Sequence, residues 1–259
     1  MNLHPPVSLL AMVAAGLLIL QNGASGATVV LTPSKDNTLY EDTEGDVSNG
    51  QGPYLYAGKT GENDGFKLRR GLIAFDLTAI PRDAMITGVT LSMFLSKSSP
   101  SPGAVNISLH AASQDWGEGL SNAGNPGGVG APAQTGDATW RHRFFSTSLW
   151  TNRGGDFRAT ASATTSVSVV NRSYTWVSGS LSGDVQGWVS NPASNFGWFI
   201  RGDEVMNESA QRFNSSENAV SPPQLTITYE LIPEPSVALL GLFGAFISLA
   251  RRRRPHPTS

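Results

Sequence analysis

The sequence predicts an all-β protein, a jelly-roll-like two-sheet β-sandwich carrying one short helix. Apolar and polar residues alternate strictly along several stretches of the chain's middle, the pattern of half-buried strands. Connections are rich in turn formers, with 28 glycines and 16 prolines among 259 residues. Between the two ends, apolar residues take helical spacing in one segment, so a single helix is expected beside the strands.

The first 26 residues are read as a signal peptide and set apart from the fold. MNLHPP leads into the apolar run VSLLAMVAAGLLIL (Val7 to Leu20), which has the length of a secretory h-region. Small residues follow it, and Ala24 with Gly26, or Ser25 with Ala27, suits a signal peptidase. Residues 27–232 then form one β domain, a size ordinary for a sandwich or barrel. Its strands are TVVLT (28–32), YLYAG (54–58), RGLIAFDL (70–77), MITGVTLSMFLS (85–96), VNISLHA (105–111), TWRHRFF (139–145), SVSVV (166–170), SYTWV (173–177), FGWFIRG (196–202) and QLTITYEL (224–231).

Alternation is clearest in three of these. Met85, Val89, Leu91, Met93 and Leu95 share one face while Thr90 and Ser92 fall between them. Val105, Ile107 and Leu109 stand opposite Asn106, Ser108 and His110, which places His110 on the solvent face. Leu225, Ile227, Tyr229 and Leu231 oppose Thr226, Thr228 and Glu230. In SLSGDVQGWVSNP, Leu181, Val185, Trp188 and Val189 fall at i, i+4, i+7 and i+8, a helix stopped ahead of Pro192. SNAGNPGGVGAPAQTGD (121–137) reads as a low-complexity loop that contributes nothing to a core.

Composition narrows the function classes. The chain holds 18 Lys and Arg and 20 Asp and Glu; four of the former and one of the latter follow residue 232, leaving 14 against 19 in residues 27–232. That acidic balance excludes a nucleic-acid partner, which needs a basic face. With no cysteine, an exported domain is held by its core alone.

No catalytic group is expected. His110 and His142 lie in separate strands without the spacing of a metal pair, and no nucleophile elbow occurs. Asp115 with Glu118, and Asp203 with Glu204, are the candidate acid pairs for sugar chemistry. Asp115 is read instead as shaping a turn beside a packed Trp116, and Asp203–Glu204 as an exposed loop. For an inorganic cofactor the residues suit calcium: Glu41, Asp42, Glu44 and Asp46, with Asn49, crowd oxygens into one short loop. Sugar recognition uses aromatic faces and cations, and Tyr54, Tyr56, Lys59, Lys67, Arg69 and Arg70 supply both within seventeen residues. Strand alternation sends only one of Arg69 and Arg70 outward, and Asp76 is the expected partner for Arg70. Five of the six tryptophans, all but Trp150, fall in core patterns.

The stretch SKDNTLYED, with Asp36, Asn37, Leu39 and Glu41, resembles the signature of the DNRLRE domain family, with Thr38 and Tyr40 where that name has arginines. RRGLIAFDLTAIP (69–81), DWGEG (115–119), GDATWRH (136–142), DVQGW with NPASNFGW (184–198) and PPQLTITY (222–229) extend the resemblance through the exported region. It implies a jelly-roll-like sandwich of bacterial extracellular proteins, with relatives that bind acidic polysaccharides such as alginate through Lys and Arg near the N-terminal half. Lys59, Lys67, Arg69 and Arg70 are the positions here that match.

Residues 233–259 resemble a PEP-CTERM sorting signal: Pro233-Glu234-Pro235, an apolar run, then Arg251, Arg252, Arg253 and Arg254. That resemblance implies processing by an exosortase in a Gram-negative bacterium that makes exopolysaccharide. Pro235 to Ala250 would span ~24 Å as a helix, short of a ~30 Å hydrocarbon core. The arginines can snorkel to close part of that gap, and their charge keeps the C-terminus cytoplasmic. The chain is thus expected to leave through Sec, to be held briefly in the membrane, and to reach the cell surface or matrix. Its leading role is a non-catalytic, polysaccharide-associated module; a structural matrix protein without ligand is the alternative, and a polysaccharide-degrading enzyme the remotest.

Overall fold

The computed structural model describes residues 26–99 and 103–231, a mostly β unit with one α-helix. The expected signal peptide (apart from Gly26), the motif Pro233-Glu234-Pro235, the apolar run after it and Arg251–Arg254 lie outside the described residues. No described helix is long and apolar enough to cross a membrane.

In chain order the strands are β1 (Gly26–Leu31), β2 (Lys35–Tyr40), β3 (Val47–Ser48), β4 (Tyr54–Lys59), β5 (Leu68–Ala74), β6 (Met85–Ser98), β7 (Val105–Ala111), β8 (Ala131–Pro132), β9 (His142–Phe144), β10 (Ser148–Leu149), β11 (Ala163–Val167), β12 (Arg172–Trp176), β13 (Trp198–Arg201), β14 (Gln211–Asn214) and β15 (Gln224–Glu230). The helix α1 (Gly179–Ser190) falls between β12 and β13.

Eleven strands join in one curled antiparallel network. In one half, β6 pairs with β15, β14 and β12, and β15 pairs with β1. In the other, the order is β2-β5-β13-β7-β11. β4 joins the halves: Tyr54–Ala57 pair with β14, then Gly58 and Lys59 pair with β5. The crossing needs glycine, because Gly58 has φ +117° and a Cβ there would lie 2.7 Å from the Ser209 carbonyl oxygen.

The main core lies where the inward faces of both halves meet. Val89, Leu91, Met93 and Leu95 of β6, Ile107 and Leu109 of β7, Trp176, Trp198 and Ile200 cluster there, with Leu181, Val185, Trp188 and Val189 of α1. Burying apolar side chains is worth roughly 1.5–3 kcal/mol each, the term that holds a fold without disulfides together. The Ser178 hydroxyl caps α1 by accepting the Leu181 N–H at 2.9 Å, and the helix ends at Asn191 ahead of Pro192, as its spacing predicts.

A second apolar cluster covers the outer face of the β2-β5-β13-β7-β11 half. Leu39, Leu72 and Phe199 point into it, and the long β7–β11 connection supplies Trp116, Ala138, Trp140 and Trp150. Buried on both faces, this half explains why RGLIAFDL reads as a near-continuous apolar run. Two expectations are corrected here. His110 does face away from the main core, but the connection covers it: it is 5% exposed, its ring 5.5 Å from that of Phe157. It exchanges hydrogen bonds with the Ser108 hydroxyl and the Arg158 carbonyl, each at 3.0 Å, and burial lowers its pKa. The stretch 121–137 is likewise not bare loop, since Ser121 and Asp137 are buried and β8 pairs with β3.

Candidate functional site

The outer face of the β6-centred half is left uncovered, and its polar row of Thr90, Ser92, Thr226 and Thr228 is partly exposed. At the far end of β6 that row gives way to aromatic rings and cations. Cross-strand pairing sets Tyr56 beside Arg212 and Arg212 beside Lys97. A β-bulge makes this possible: Arg212 pairs with Lys97 but Phe213 with Leu95, so Ser96 is the extra residue. The bulge turns Lys97 out of the alternation that buries Leu95.

The Arg212 guanidinium stacks on the Tyr54 ring at 3.8 Å. Its Nε donates to the Ser96 hydroxyl at 3.0 Å, and Nη1 approaches Asn125 Oδ1 at 3.5 Å. The Tyr56 hydroxyl donates to the Pro126 carbonyl, tying the strand to the 121–130 segment, which forms one wall of an open groove of about 690 Å³. Arg69, Tyr56, Lys97 and Arg212 line it, with Glu62, Asp64 and Glu208 on the same groove.

The six sequence-predicted binding residues separate into three groups. Tyr54 and Tyr56 share a face as expected and stand with the cations just described. Lys59 and exposed Lys67 flank the turn between β4 and β5 without lining the groove. Neither arginine is a free surface cation, which corrects the expected outward placement of one of them. Arg69 is 4% exposed, lies 4.9 Å over the Tyr40 ring, and donates from Nε to the Gly128 carbonyl at 3.2 Å. Burial pulls its pKa below the ordinary arginine value.

Arg70 points to the other side, between the rings of Trp140 (4.9 Å) and Phe157 (5.3 Å). Its partner is Glu204, not Asp76: Nε and Nη2 donate to the two carboxylate oxygens at 2.7 and 2.9 Å. Arg201 grips the same carboxylate at 3.1 and 2.6 Å. Burial would raise the Glu204 pKa, but hydrogen bonds from Arg70 and Arg201 and then their charges outweigh it, holding the pKa at about 2. Glu204 is therefore no exposed loop residue. Asp76 is exposed and accepts the Thr78 N–H.

The other acid candidates are engaged as well. Asp115 forms an ion pair with Lys35 at 2.7 Å and accepts the Trp116 N–H, the turn role expected of it. Glu118 accepts the Asp36 N–H at 2.9 Å. In the expected calcium loop, Asp42 accepts the backbone N–H groups of Glu44, Gly45 and Asp46, and Glu41 accepts that of Leu68 at 2.7 Å. These oxygens turn onto local backbone donors. Among the described residues no group of three or more acidic, histidine or cysteine side chains stands in metal-holding geometry.

Sequence reading missed Arg212, which stacks on Tyr54, and Lys97, its cross-strand neighbour in the groove. The signal for Arg212 was weak, since QRFN is too short for alternation to register; Lys97 lay just past the strand end expected at Ser96. No protein-family model matches the chain, and comparison with curated proteins finds no match.

Proposed function

We propose that the chain is a non-catalytic, exported polysaccharide-binding module, built as a jelly-roll-like sandwich related to the DNRLRE family. The observation that carries this reading is an open groove lined by Tyr56, Arg69, Lys97 and Arg212, with Arg212 stacked at 3.8 Å on the neighbouring Tyr54 ring. Aromatic faces pack on pyranose rings, and fixed guanidinium and ammonium groups meet sugar carboxylates. Lys97 and Arg212 would meet the carboxylates of an acidic polysaccharide, while Glu62, Asp64 and Glu208 on the same groove would accept hydrogen bonds from sugar hydroxyls. Glu204 itself is unsuited to be the acid of a catalytic pair, because a carboxyl held at about 2 cannot protonate a leaving oxygen near neutral pH. Delivery through the PEP-CTERM-like tail and an exosortase places the module at the surface or in the matrix.

Affinity electrophoresis through gels containing acidic or neutral polysaccharides tests the reading. The native chain is expected to be retarded by an acidic gel, and Arg212→Ala with Lys97→Ala to lose at least tenfold in affinity, about 1.4 kcal/mol. Migration unaffected by every polysaccharide would leave the structural-matrix role in its place. Sustained release of reducing ends would establish an enzyme instead.

A further inference from the structure

The groove at the far end of β6 carries charges of both signs, and they do not pair with each other. Lys97 and Arg212 line it together with Glu62, Asp64 and Glu208. Among the described residues the ion pairs join Lys35 to Asp115, Arg70 and Arg201 to Glu204, and Arg158 to Asp184; none of them uses these five. The backbone holds the two sets apart. Arg212 stands opposite Tyr56 in the β4–β14 ladder, while the Glu208 N–H donates to the Thr60 carbonyl at 3.2 Å. Glu208 therefore lies four residues further along, ~13 Å at strand rise. Glu62 and Asp64 belong to the short 3₁₀ turn that follows Gly61, and Glu208 reaches the same turn: a Cβ on Gly61 would lie 3.2 Å from its Oε1.

Screening then decides what a ligand meets. Exposed charges more than about 8 Å apart are largely hidden from each other at physiological ionic strength. At ~13 Å, cations and acids present separate fields to whatever enters the groove. A chain carrying carboxylates alone satisfies Lys97 and Arg212 but is repelled by the three acids. Sugar hydroxyls can bond those acids without bringing opposite charge; an ammonium group does both. Beside Arg212, the Tyr56 ring is fixed by its hydroxyl's bond to the Pro126 carbonyl and offers an apolar face to a pyranose.

We propose that the groove takes a zwitterionic polysaccharide, in which ionised carboxylates and free amino groups recur within a few rings of each other along one chain. The inference rests on the polysaccharide-binding reading and narrows it from acidic chains in general. Lys97 and Arg212 meet the carboxylate, and Glu62, Asp64 and Glu208 meet the ammonium group. A pure polycation is disfavoured by the two cations as a pure polyanion is by the three acids. A peptide of mixed charge is the less suited occupant, because β14, which carries Arg212, is paired on both edges and has no free backbone ladder to offer it.

Affinity measurements on the full chain in detergent test this at about pH 6, where carboxylates and amines are both charged. The probes are hyaluronan, with a carboxylate on alternate rings and its amines acetylated, the same polymer after partial N-deacetylation, and chitosan, with amines alone. The deacetylated hyaluronan is expected to bind about tenfold tighter than the acetylated form, and tighter than chitosan. Glu62→Gln with Asp64→Asn, exposed changes on a surface turn, should remove most of that preference without weakening the hold on acetylated hyaluronan. Arg212→Ala should weaken both hyaluronans, and Asp83→Asn, an exposed acid near the other end of β6, neither. Equal affinity for the two hyaluronans would overturn the inference and leave the acidic-polysaccharide reading standing. So would a preference that survives in the acid variants, or chitosan bound as tightly as the deacetylated polymer, a general attraction to an acidic domain. A peptide of alternating glutamate and lysine that competes as well as the deacetylated polymer would assign the groove to peptides instead. No binding to any of the three glycans would also overturn the inference, and the acidic gels then show whether the reading falls with it.

Discussion

Glu204 shows how much a single carboxylate can do when two arginines converge on it. Its pKa of about 2 lies below the ordinary glutamate value of 4.5, so it favours the fold above the unfolded-state pKa and loses that contribution as pH falls toward about 2. The linkage is worth on the order of 1–3 kcal/mol once partial exposure is discounted. Replacing it by glutamine leaves Arg70 buried between Trp140 and Phe157 without its counter-charge. Glu204→Gln is expected to cost about 2–4 kcal/mol at neutral pH and to flatten the loss of stability between pH 4.5 and 2, measured by urea unfolding across pH. Asp36 has the opposite sign. Its raised pKa means the unfolded chain sheds that proton first, so stability falls as pH rises from 3.8 through the folded value. Glu118 and Glu217 face it from the other two segments, and Glu118, also raised, adds to the same trend.

Among the elements, β2 was the least legible in the sequence and holds the most together. KDNTLY lacks alternation, and its polar residues Asp36, Asn37 and Thr38 are all fully buried. Patterning that equates polar with outward cannot find such a strand, although the family-like motif marked the residues themselves. Asn37 shows why they are inside. Its Oδ1 accepts the Thr38 N–H (2.6 Å), the Ser48 hydroxyl (3.0 Å) and the Asn49 N–H (3.2 Å), while Nδ2 donates to Glu118. Asn37→Ala would strand several buried groups and is expected to lower stability by about 3 kcal/mol or more in denaturant titrations, with Asn37→Asp partly restoring the accepted bonds. Strands with one wet face, such as β6, β7 and β15, were readable because water enforces period two. His110 broke the rule because the β7–β11 connection covers that face, and no local pattern announces a segment that returns to cover a strand face. The same holds for the groove: Tyr54 and Tyr56 were visible as neighbours on one strand, whereas Lys97 and Arg212 reach them only through pairing and a bulge.

At the scale of the described unit, Gly26 pairs with Glu230, and Glu230 pairs with Met85 at the start of β6. The first and last described strands are therefore neighbours, while the groove cations stand at the opposite end of β6, at Lys97. At ~3.3 Å per residue, the twelve steps from Met85 to Lys97 span about 40 Å. Every strand, both apolar clusters and the groove lie within residues 26–231, whose core draws on both halves of the network. A fragment of those residues is thus expected to fold alone, unfold in one cooperative step, and bind acidic polysaccharide like the full chain. β1 is part of that unit and no mere leader, since Val29 and Leu31 pack against the main core beside Ile227 and Leu225. Removing it, in a fragment of residues 32–231, bares the edge of β15 and those apolar contacts, at a cost of about 3 kcal/mol or more. Circular dichroism melts of the two fragments measure this directly: equal midpoints would show that β1 adds nothing, and a non-cooperative melt of 26–231 would show that the terminal segments belong to the fold.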